Sequence, residues 1–255
     1  MIKSIKNGLD ILACFSHETP EIGVTDIANK LRLSKSTVSR LLSTLRQGNL
    51  VMQIPPYQRY RLGPKILDLA SIFLSNFEWR MIAIPHLRDL RDKADETVTV
   101  FILQGIERIC IEKFDSSHEL RPVLNLGGHY PLHAGAAGKL LLAYLSPEMR
   151  KEILEQTGLP RLTPHTITTL KGIEHELAKI RWDGYAVSLA ERALHVSSVA
   201  APIRDFAGKV IAALNLSGPT VRFTPEKEKE YIRLVTVTAD KISRQIGYKA
   251  NKPEA

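Results

Sequence analysis

The segment that most constrains the fold is a helical pattern over residues 34–46. Apolar residues recur there at the i, i+3, i+4 and i+7 spacing of a helix packed on a small core, namely Val38, Leu41, Leu42 and Leu45. The opposite face carries short hydrogen-bonding side chains and one arginine, but no acid. A merely solvated helix usually mixes Glu with Lys, so this face is typical of a surface that contacts phosphates and base edges.

A second, shorter helical pattern precedes this one and should begin with Thr25 as its N-cap. A tight turn at residues 32–33 follows, and then Ser34 is expected to cap the next helix, which should end near Gly48. Two helices joined in this way form a helix-turn-helix, whose second helix enters the major groove of DNA. A generic three-helix core would show the same periodicity, but the acid-free face and the local charge favour DNA binding.

The net charge of +8 is concentrated near the N-terminus. Residues 1–65 hold ten Lys and Arg against four Asp and Glu, which gives +6 and leaves +2 for the rest of the chain. This asymmetry indicates a nucleic-acid partner for the N-terminal part. Small basic domains also exist that bind no polyanion, so charge alone does not decide the question.

A β-hairpin should follow the helix-turn-helix, with strands over 50–54 and 59–62. Such a hairpin would form a wing, from which Tyr57 and Arg59 would reach phosphates or the minor groove; alternatively, it would only cover the helices. The candidate DNA-binding residues are Thr25, Lys35, Ser36, Thr37, Ser39, Arg40, Thr44, Tyr57 and Arg59.

The remainder of the chain predicts an α+β domain with an antiparallel sheet. An apolar helix over 65–74 should serve as a linker or a dimer contact, because it has nothing else on which to bury its face. Strands and hairpins then mix with helices without repeated βαβ units. The expected strands are a hairpin over 97–113, Val123–Leu126, and three more over 185–189, 196–203 and 210–216.

Small residues open a further helix at 134–145, AGAAGKLLLAYL. Gly135, Ala136 and Ala137 would leave backbone N–H groups approachable at a helix N-terminus, which is an anion-binding arrangement. Close packing of the helix through its small residues is an equally good reading of this run.

No apolar run approaches the roughly 18 residues of a membrane span, and the first residues lack the apolar region of a signal peptide. The expected compartment is therefore the cytoplasm, without a membrane partner. Cys14 and Cys110 form no CxxC or CxxH pattern and are expected to be buried thiols. No cofactor and no metal site are expected.

Several separated motifs, in order, give the chain a family resemblance. They are LSKSTVSRLLSTLRQGNLV and YRLGPKILDLA in the N-terminal part, then PLHAGAAGKLLLAYL, RWDGYAVSLAE and VSSVAAPIRDFAGKVIAALNLSGPTVRFT. Together they cover nearly the whole chain, which resembles the IclR family of bacterial transcriptional regulators.

The resemblance implies a winged helix-turn-helix over residues 1–63, a linker helix over 64–78 and a GAF-like effector domain over 79–250. It further implies a homodimer or dimer of dimers on double-stranded DNA, which would read a palindromic operator. A small organic molecule, often a carboxylate, would bind the C-terminal domain and change operator affinity.

The resemblance also implies a set of effector-binding residues. Ser198 stands where many relatives have a cysteine, and Ser188 stands where many have an acid, so the ligand chemistry is expected to differ from theirs. Leu194 and His195 also replace a pair common in relatives. The implied effector-binding residues are Gly135, Ala136, Ala137, Ser188, Ser198, Asn215 and Ser217.

Two other functions for the C-terminal domain stay open: an enzyme, or an interaction module without a ligand. The available groups match no recognised catalytic spacing; they are His133, Glu191, His195, Asp205 and the two cysteines. His129 and His133 are four residues apart, but the proline between them spoils a shared helical face for a metal. The chain is therefore not expected to be an enzyme.

Overall fold

The computed structural model of the chain describes residues 2–55 and 58–249. The chain divides after Phe77 into two compact units, and we refer to residues 1–77 as the N-terminal unit and to residues 78–255 as the C-terminal unit. No helix within the described ranges is both long enough and apolar enough to cross a membrane.

The N-terminal unit is a helix-turn-helix followed by a hairpin. Its elements are α1 (Lys3–Leu12), β1 (Ile22–Gly23), α2 (Val24–Leu31), α3 (Lys35–Gln47), β2 (Val51–Ile54), β3 (Arg59–Leu62) and α4 (Lys65–Ser75). The strands pair antiparallel in the order β1-β3-β2. Helices α1, α2 and α3 meet in one core, where Ile11, Ile27, Val38 and Leu42 are fully buried. The predicted helix-turn-helix is therefore present.

Helix α2 begins earlier than predicted, so the assignment of Thr25 as its N-cap was wrong. The N-cap is Gly23, which has an extended backbone and no side chain with which to cap the helix. Gly23 also ends β1, where it pairs with Arg59 of β3. This pairing holds the chain extended up to Gly23, and Thr25 consequently lies in the first helical turn. A two-residue strand carries no alternation from which its presence can be predicted.

Ser34 is the N-cap of α3, as predicted. Its hydroxyl oxygen accepts a hydrogen bond from the backbone N–H of Thr37 at an N···O distance of 3.2 Å. The helix ends at Gly48. The cap fixes where α3 starts, and therefore which residues lie in its first, outward-facing turn.

Replacing Ser34 with alanine should lower the free energy of unfolding of the N-terminal unit by about 1 kcal/mol, because the backbone N–H of Thr37 loses its acceptor. Chemical denaturation followed by circular dichroism measures this loss. Ser34→Asp should retain most of the stability, since aspartate caps equally well. Ser39→Ala, on an exposed position of the same helix, is the matched control; an equal loss in that variant would contradict a capping role.

The C-terminal unit is built on one antiparallel sheet. Its elements are α5 (Trp79–Ala94), β4 (Thr97–Gln104), β5 (Glu107–Phe114), β6 (His129–Pro131), α6 (Ala136–Ala143), α7 (Pro147–Thr157), α8 (Leu170–Asp183), β7 (Ala186–Leu189), β8 (Val196–Arg204), β9 (Val210–Pro219) and α9 (Pro225–Gln245). The six strands lie in the order β6-β5-β4-β9-β8-β7. Helices α6, α7 and α8 share a core with one face of the sheet, while α5 and α9 pack on each other and on strands β4 and β8. The predicted α+β fold is confirmed.

The predicted strand at Val123–Leu126 was wrong. This segment has no regular secondary structure, and the edge strand is instead β6, which pairs with the first residues of β5. Leu124 is buried while its neighbour Val123 is 82% exposed. The buried side chain of Leu124 anchors the segment, and among the described residues no strand pairs with it.

Candidate functional site

The outward face of α3 is the candidate nucleic-acid surface. Lys35, Ser36, Ser39, Arg40 and Thr44 are exposed along it, and the helix contains no acidic residue. Within the described part of the chain, neither Lys35 nor Arg40 takes part in an ion pair. Both cations are therefore available to an anionic partner.

Two threonine hydroxyls on α3 already have partners. The Oγ1 atom of Thr37 lies 2.8 Å from the Oγ of Ser34. The hydroxyl of Thr44 donates to the backbone oxygen of Arg40 at 3.2 Å. A phosphate contact by Thr44 would therefore require its hydroxyl to leave that carbonyl.

The other predicted DNA-binding residues lie around α3. Thr25 is exposed in the first turn of α2. Arg59 on β3 donates from Nη2 to the backbone oxygen of Glu21 at 2.6 Å, which ties the hairpin to the segment before β1. Tyr57 lies outside the described residues.

A small cavity in the C-terminal unit brings together all seven predicted effector-binding residues. Its lining consists of Phe101, Arg108, Leu124, Gly135, Ala136, Ala137, Ser188, Arg192, Val196, Ser198, Asn215 and Ser217. Its free volume is about 20 Å³, which is room for about one water molecule. The cavity lies between the N-terminus of α6 and the polar side chains of the neighbouring strands β7, β8 and β9.

Strand register explains why the serines converge. Ser188 of β7 lies opposite Ser198 of β8, which lies opposite Ser217 of β9. The three hydroxyls therefore form one row across adjacent strands. The backbone N–H of Ala136 donates to the Oγ of Ser198 at 3.3 Å, so the row faces the start of α6. Asn215 donates from Nδ2 to the Oγ1 of Thr99 at 3.1 Å.

Arg108, which the sequence reading did not single out, is the most buried charge of the cavity. It is 3% exposed. Its guanidinium carbon lies 5.2 Å from the centre of the Phe101 ring and 5.7 Å from that of Tyr130. Nη1 donates to the carbonyl oxygens of Pro131 and Ala134. Arg108 lies two residues before the buried Cys110 on β5, so the alternation of the strand places both side chains on the buried face. An arginine at such a position was the feature of the sequence that could have identified it.

Burial makes the charged form of Arg108 less favourable than it is in water. Burial, and to a lesser extent the nearby charge of Arg192, lowers the pKa of Arg108 to about 9. The group is still charged at neutral pH, because that pKa lies above 7. Burial also lowers the pKa of Arg192, whose guanidinium carbon lies 5.2 Å from the centre of the Tyr130 ring.

Two glycines in the AGAAG run make room for this arginine. Gly135 has φ of +89°, and a Cβ atom there would lie 3.0 Å from an Nη atom of Arg108. A Cβ at Gly138 would collide with the same guanidinium group and with the Leu132 carbonyl oxygen at 2.6 Å. The two glycines therefore allow the Arg108 guanidinium to lie close to the start of α6. They also allow close packing of the helix.

A buried ion cluster fixes the first turn of α6. Lys139 is 1% exposed, and its Nζ lies 2.7 Å from the Oε1 of Glu176, 2.6 Å from the Oε1 of Glu191 and 2.9 Å from the Val187 carbonyl oxygen. The other oxygen of Glu191 accepts from the Gly135 N–H at 3.4 Å. Burial raises the pKa of Glu191, and Lys139 opposes that rise.

Three of the groups considered for catalysis, His133, Asp205 and Cys110, make contacts with the protein backbone. Nε2 of His133 lies 3.0 Å from the Pro160 carbonyl oxygen, and burial lowers the pKa of this histidine. Asp205 accepts from backbone N–H groups in the turn between β8 and β9. Burial raises the pKa of the Cys110 thiol to about 12, which keeps it protonated.

The two histidines considered for a metal also differ in surroundings. His129 is exposed, and its Nδ1 lies 3.1 Å from the Oε2 of Glu107, whereas His133 is buried. In the part of the chain that the structure describes, no three His, Cys, Asp or Glu side chains are grouped so as to hold a metal ion.

Comparisons with known proteins agree with this two-part architecture. Residues 4–55 match the IclR helix-turn-helix domain, and residues 72–244 match the bacterial transcriptional regulator IclR C-terminal domain. The chain is 34% identical over 247 residues to the HTH-type transcriptional regulator KdgR of Dickeya chrysanthemi, a match that covers 97% of this chain and 81% of that protein.

Solved structures are similar over the same extent. The Thermotoga maritima IclR has a TM-score of 0.82 and 32% identity, and the match covers 97% of this chain and all (100%) of that one. An IclR homolog from Microbacterium hydrocarbonoxydans, complexed with 4-hydroxybenzoate, has a TM-score of 0.86 at 23% identity and shows the same fold over 96% of this chain and 99% of its own. The chain belongs to the IclR family of bacterial transcriptional regulators and is not an enzyme.

Proposed function

We propose that this protein binds a palindromic operator as a homodimer or dimer of dimers, and that a small organic acid in the cavity of the C-terminal unit changes its affinity for that operator. The observation that carries the DNA-binding part is the exposed, acid-free face of α3, with Lys35 and Arg40 free of ion pairs among the described residues. The expected compartment is the cytoplasm, where bacterial DNA lies.

Assembly as a dimer is supported by apolar surface in the N-terminal unit. Helix α4 is rich in apolar residues but buries none of them in this chain. Leu67 is 74% exposed and Ile72 is 65% exposed. Helix α1 exposes Ile5 and Leu9 in the same way. Amphipathic helices bury such faces against a partner, and two copies of α3 placed about 34 Å apart would read a palindrome.

We assign one role to each of three ranges of the chain. Residues 1–63 bind DNA, residues 64–78 link and pair the subunits, and residues 79–250 bind the effector. Helix α4 is part of the N-terminal unit, whose last residue is Phe77. The effector part rests on the convergence of the three serines and the α6 N-terminus at one cavity.

Operator binding should weaken steeply with salt, because each neutralised phosphate releases counterions. We expect the association constant for DNA upstream of the protein's own gene to fall by about 10³–10⁵ between roughly 50 and 200 mM salt if 6–10 phosphates are contacted. Fluorescence anisotropy with specific and scrambled duplexes measures both affinity and preference. Equal binding of the specific and scrambled duplexes at moderate salt would disprove the proposed operator recognition.

A further inference from the structure

Two buried polar atoms of the cavity lack a partner within the described residues. They are the Nε of Arg108 and the Oγ of Ser217. Both residues line the same space, and both are almost fully shielded from solvent, at 3% and 2% exposure. A buried donor without an acceptor is costly, so both atoms would be stabilised by an acceptor that a ligand brings into the cavity.

The charges around the cavity point in the same direction. Arg108 and Arg192 both line it, and among the described lining residues there is no acid. The nearby carboxylate of Glu191 is engaged by Lys139 and by the Gly135 N–H. Two like charges close together in a site of low polarity repel each other, and bound negative charge would relieve that repulsion.

The remaining donors suit oxygen atoms of an anion. Helix α6 begins at the cavity, and its first N–H groups carry the partial positive charge of a helix N-terminus. The row of Ser188, Ser198 and Ser217 adds hydroxyl donors. Guanidinium groups in turn form the strongest hydrogen bonds with carboxylates.

The side chains of Arg108 and Arg192 differ in how many contacts hold them. Arg108 is held by two carbonyl oxygens and two aromatic rings. Among the described contacts, Arg192 has only its stacking on Tyr130, and it is half-buried. A cavity of about 20 Å³ cannot admit an organic acid as it stands, so a lining side chain has to move, and Arg192 is the less restrained of the two arginines.

We propose that Arg108 and Arg192 make the effector of this protein a small dicarboxylate. One carboxylate accepts from the Nε of Arg108 and the hydroxyl of Ser217 at the start of α6, and the second is bound by Arg192. This inference rests on the proposed function, because it takes the cavity to be the effector site, and it names the charge class of ligand that the site selects.

The test uses the full-length protein and a dicarboxylate series from oxalate through glutarate, with acetate and malonamide as probes that carry one charge or none. Binding is measured by thermal shift and titration calorimetry at constant ionic strength. A ligand that binds only the folded state raises the melting temperature by mass action. At least one dicarboxylate should bind about tenfold or more tightly than acetate, and malonamide should have no effect.

Variants separate the two arginines. Arg108→Met should abolish the response to dicarboxylates. Arg192→Met should weaken binding about tenfold and remove the preference over acetate, since a charge-assisted contact is lost. Lys151→Met removes an exposed cation of the same unit, whose side chain is 77% exposed, and should bind as the wild type does. If Arg108→Met does not fold, Ser217→Ala and Arg192→Met carry the test.

The proposal is overturned if no dicarboxylate raises the melting temperature, if acetate or malonamide does so equally, or if the arginine variants respond as the wild type does. Operator affinity is measured in the same samples. Wild-type protein that binds its operator but shows any of these results would disprove this inference alone. Wild-type protein with no operator preference would instead disprove the proposed function.

Discussion

Replacing Lys139 with methionine should destabilise the C-terminal unit by about 3–5 kcal/mol, because it leaves a buried carboxylate without its cation. Lys139 is 1% exposed and contacts both Glu176 and Glu191. Urea denaturation followed by tryptophan fluorescence measures the loss. Both tryptophans of the chain, Trp79 and Trp182, lie in the C-terminal unit.

The loss should depend on pH, with a sign set by Glu191. Burial already raises the pKa of Glu191 above its ordinary value of 4.5, and Lys139 holds it down. Without Lys139 the pKa rises further, so the folded variant favours the protonated acid more than the unfolded chain does. The destabilisation should therefore be smallest near pH 4.5 and grow as pH rises through the raised pKa.

Adding Glu191→Gln to Lys139→Met should restore part of the stability, since the orphaned charge is then gone. Lys151→Met, at an exposed site of the same unit, is the matched control and should change stability by no more than about 0.5 kcal/mol. A loss in Lys139→Met that is the same at every pH would show that packing, rather than the buried carboxylate, is responsible.

Arg40→Ala should cost about 1–3 kcal/mol of operator affinity and relax the preference for one base pair, because an arginine at a base edge reads sequence. Ser36 and Ser39 are expected to face bases beside it. Lys35→Ala should instead weaken binding to all duplexes alike and reduce the salt slope by about one, as expected for a phosphate contact. Competition binding with single-base operator variants distinguishes these outcomes.

Lys151→Ala is the control for charge, because it removes one cation far from α3 in sequence and outside the N-terminal unit. It should leave both affinity and base preference unchanged. Equal losses of specific and non-specific binding in Arg40→Ala and Lys35→Ala would contradict the division into base-reading and phosphate-contacting residues.

Sequence periodicity predicted those parts of the fold that local interactions specify. The stripe containing Val38 and Leu42 is buried in the core of the N-terminal unit, and Ser34 caps α3. The serines at 188, 198 and 217 were named from a family resemblance, and they do line one cavity. Their role as effector-binding residues stays a prediction.

Elements that depend on distant partners were missed or misplaced. Strand β1 exists only because Ile22 and Gly23 pair with β3, and this pairing moved the start of α2 ahead of Thr25. The segment Val123–Leu126 has strand-like residues but no partner strand. Arg108 looked like an ordinary strand residue, although Gly135 and Gly138 leave space for it across the fold.

The sequence by itself determined the family, the helix-turn-helix with its acid-free face, and the antiparallel α+β character of the C-terminal domain. The family follows from the order of the motifs along the chain, whereas the helix-turn-helix and the α+β character follow from hydrophobic period, charge and capping, which act between residues close in the chain. Only the tertiary structure decided that Arg108 and Arg192 line the same cavity and that Lys139 is paired with two acids. Those contacts join residues far apart in sequence, and which charge a folded chain buries depends on what lies opposite it.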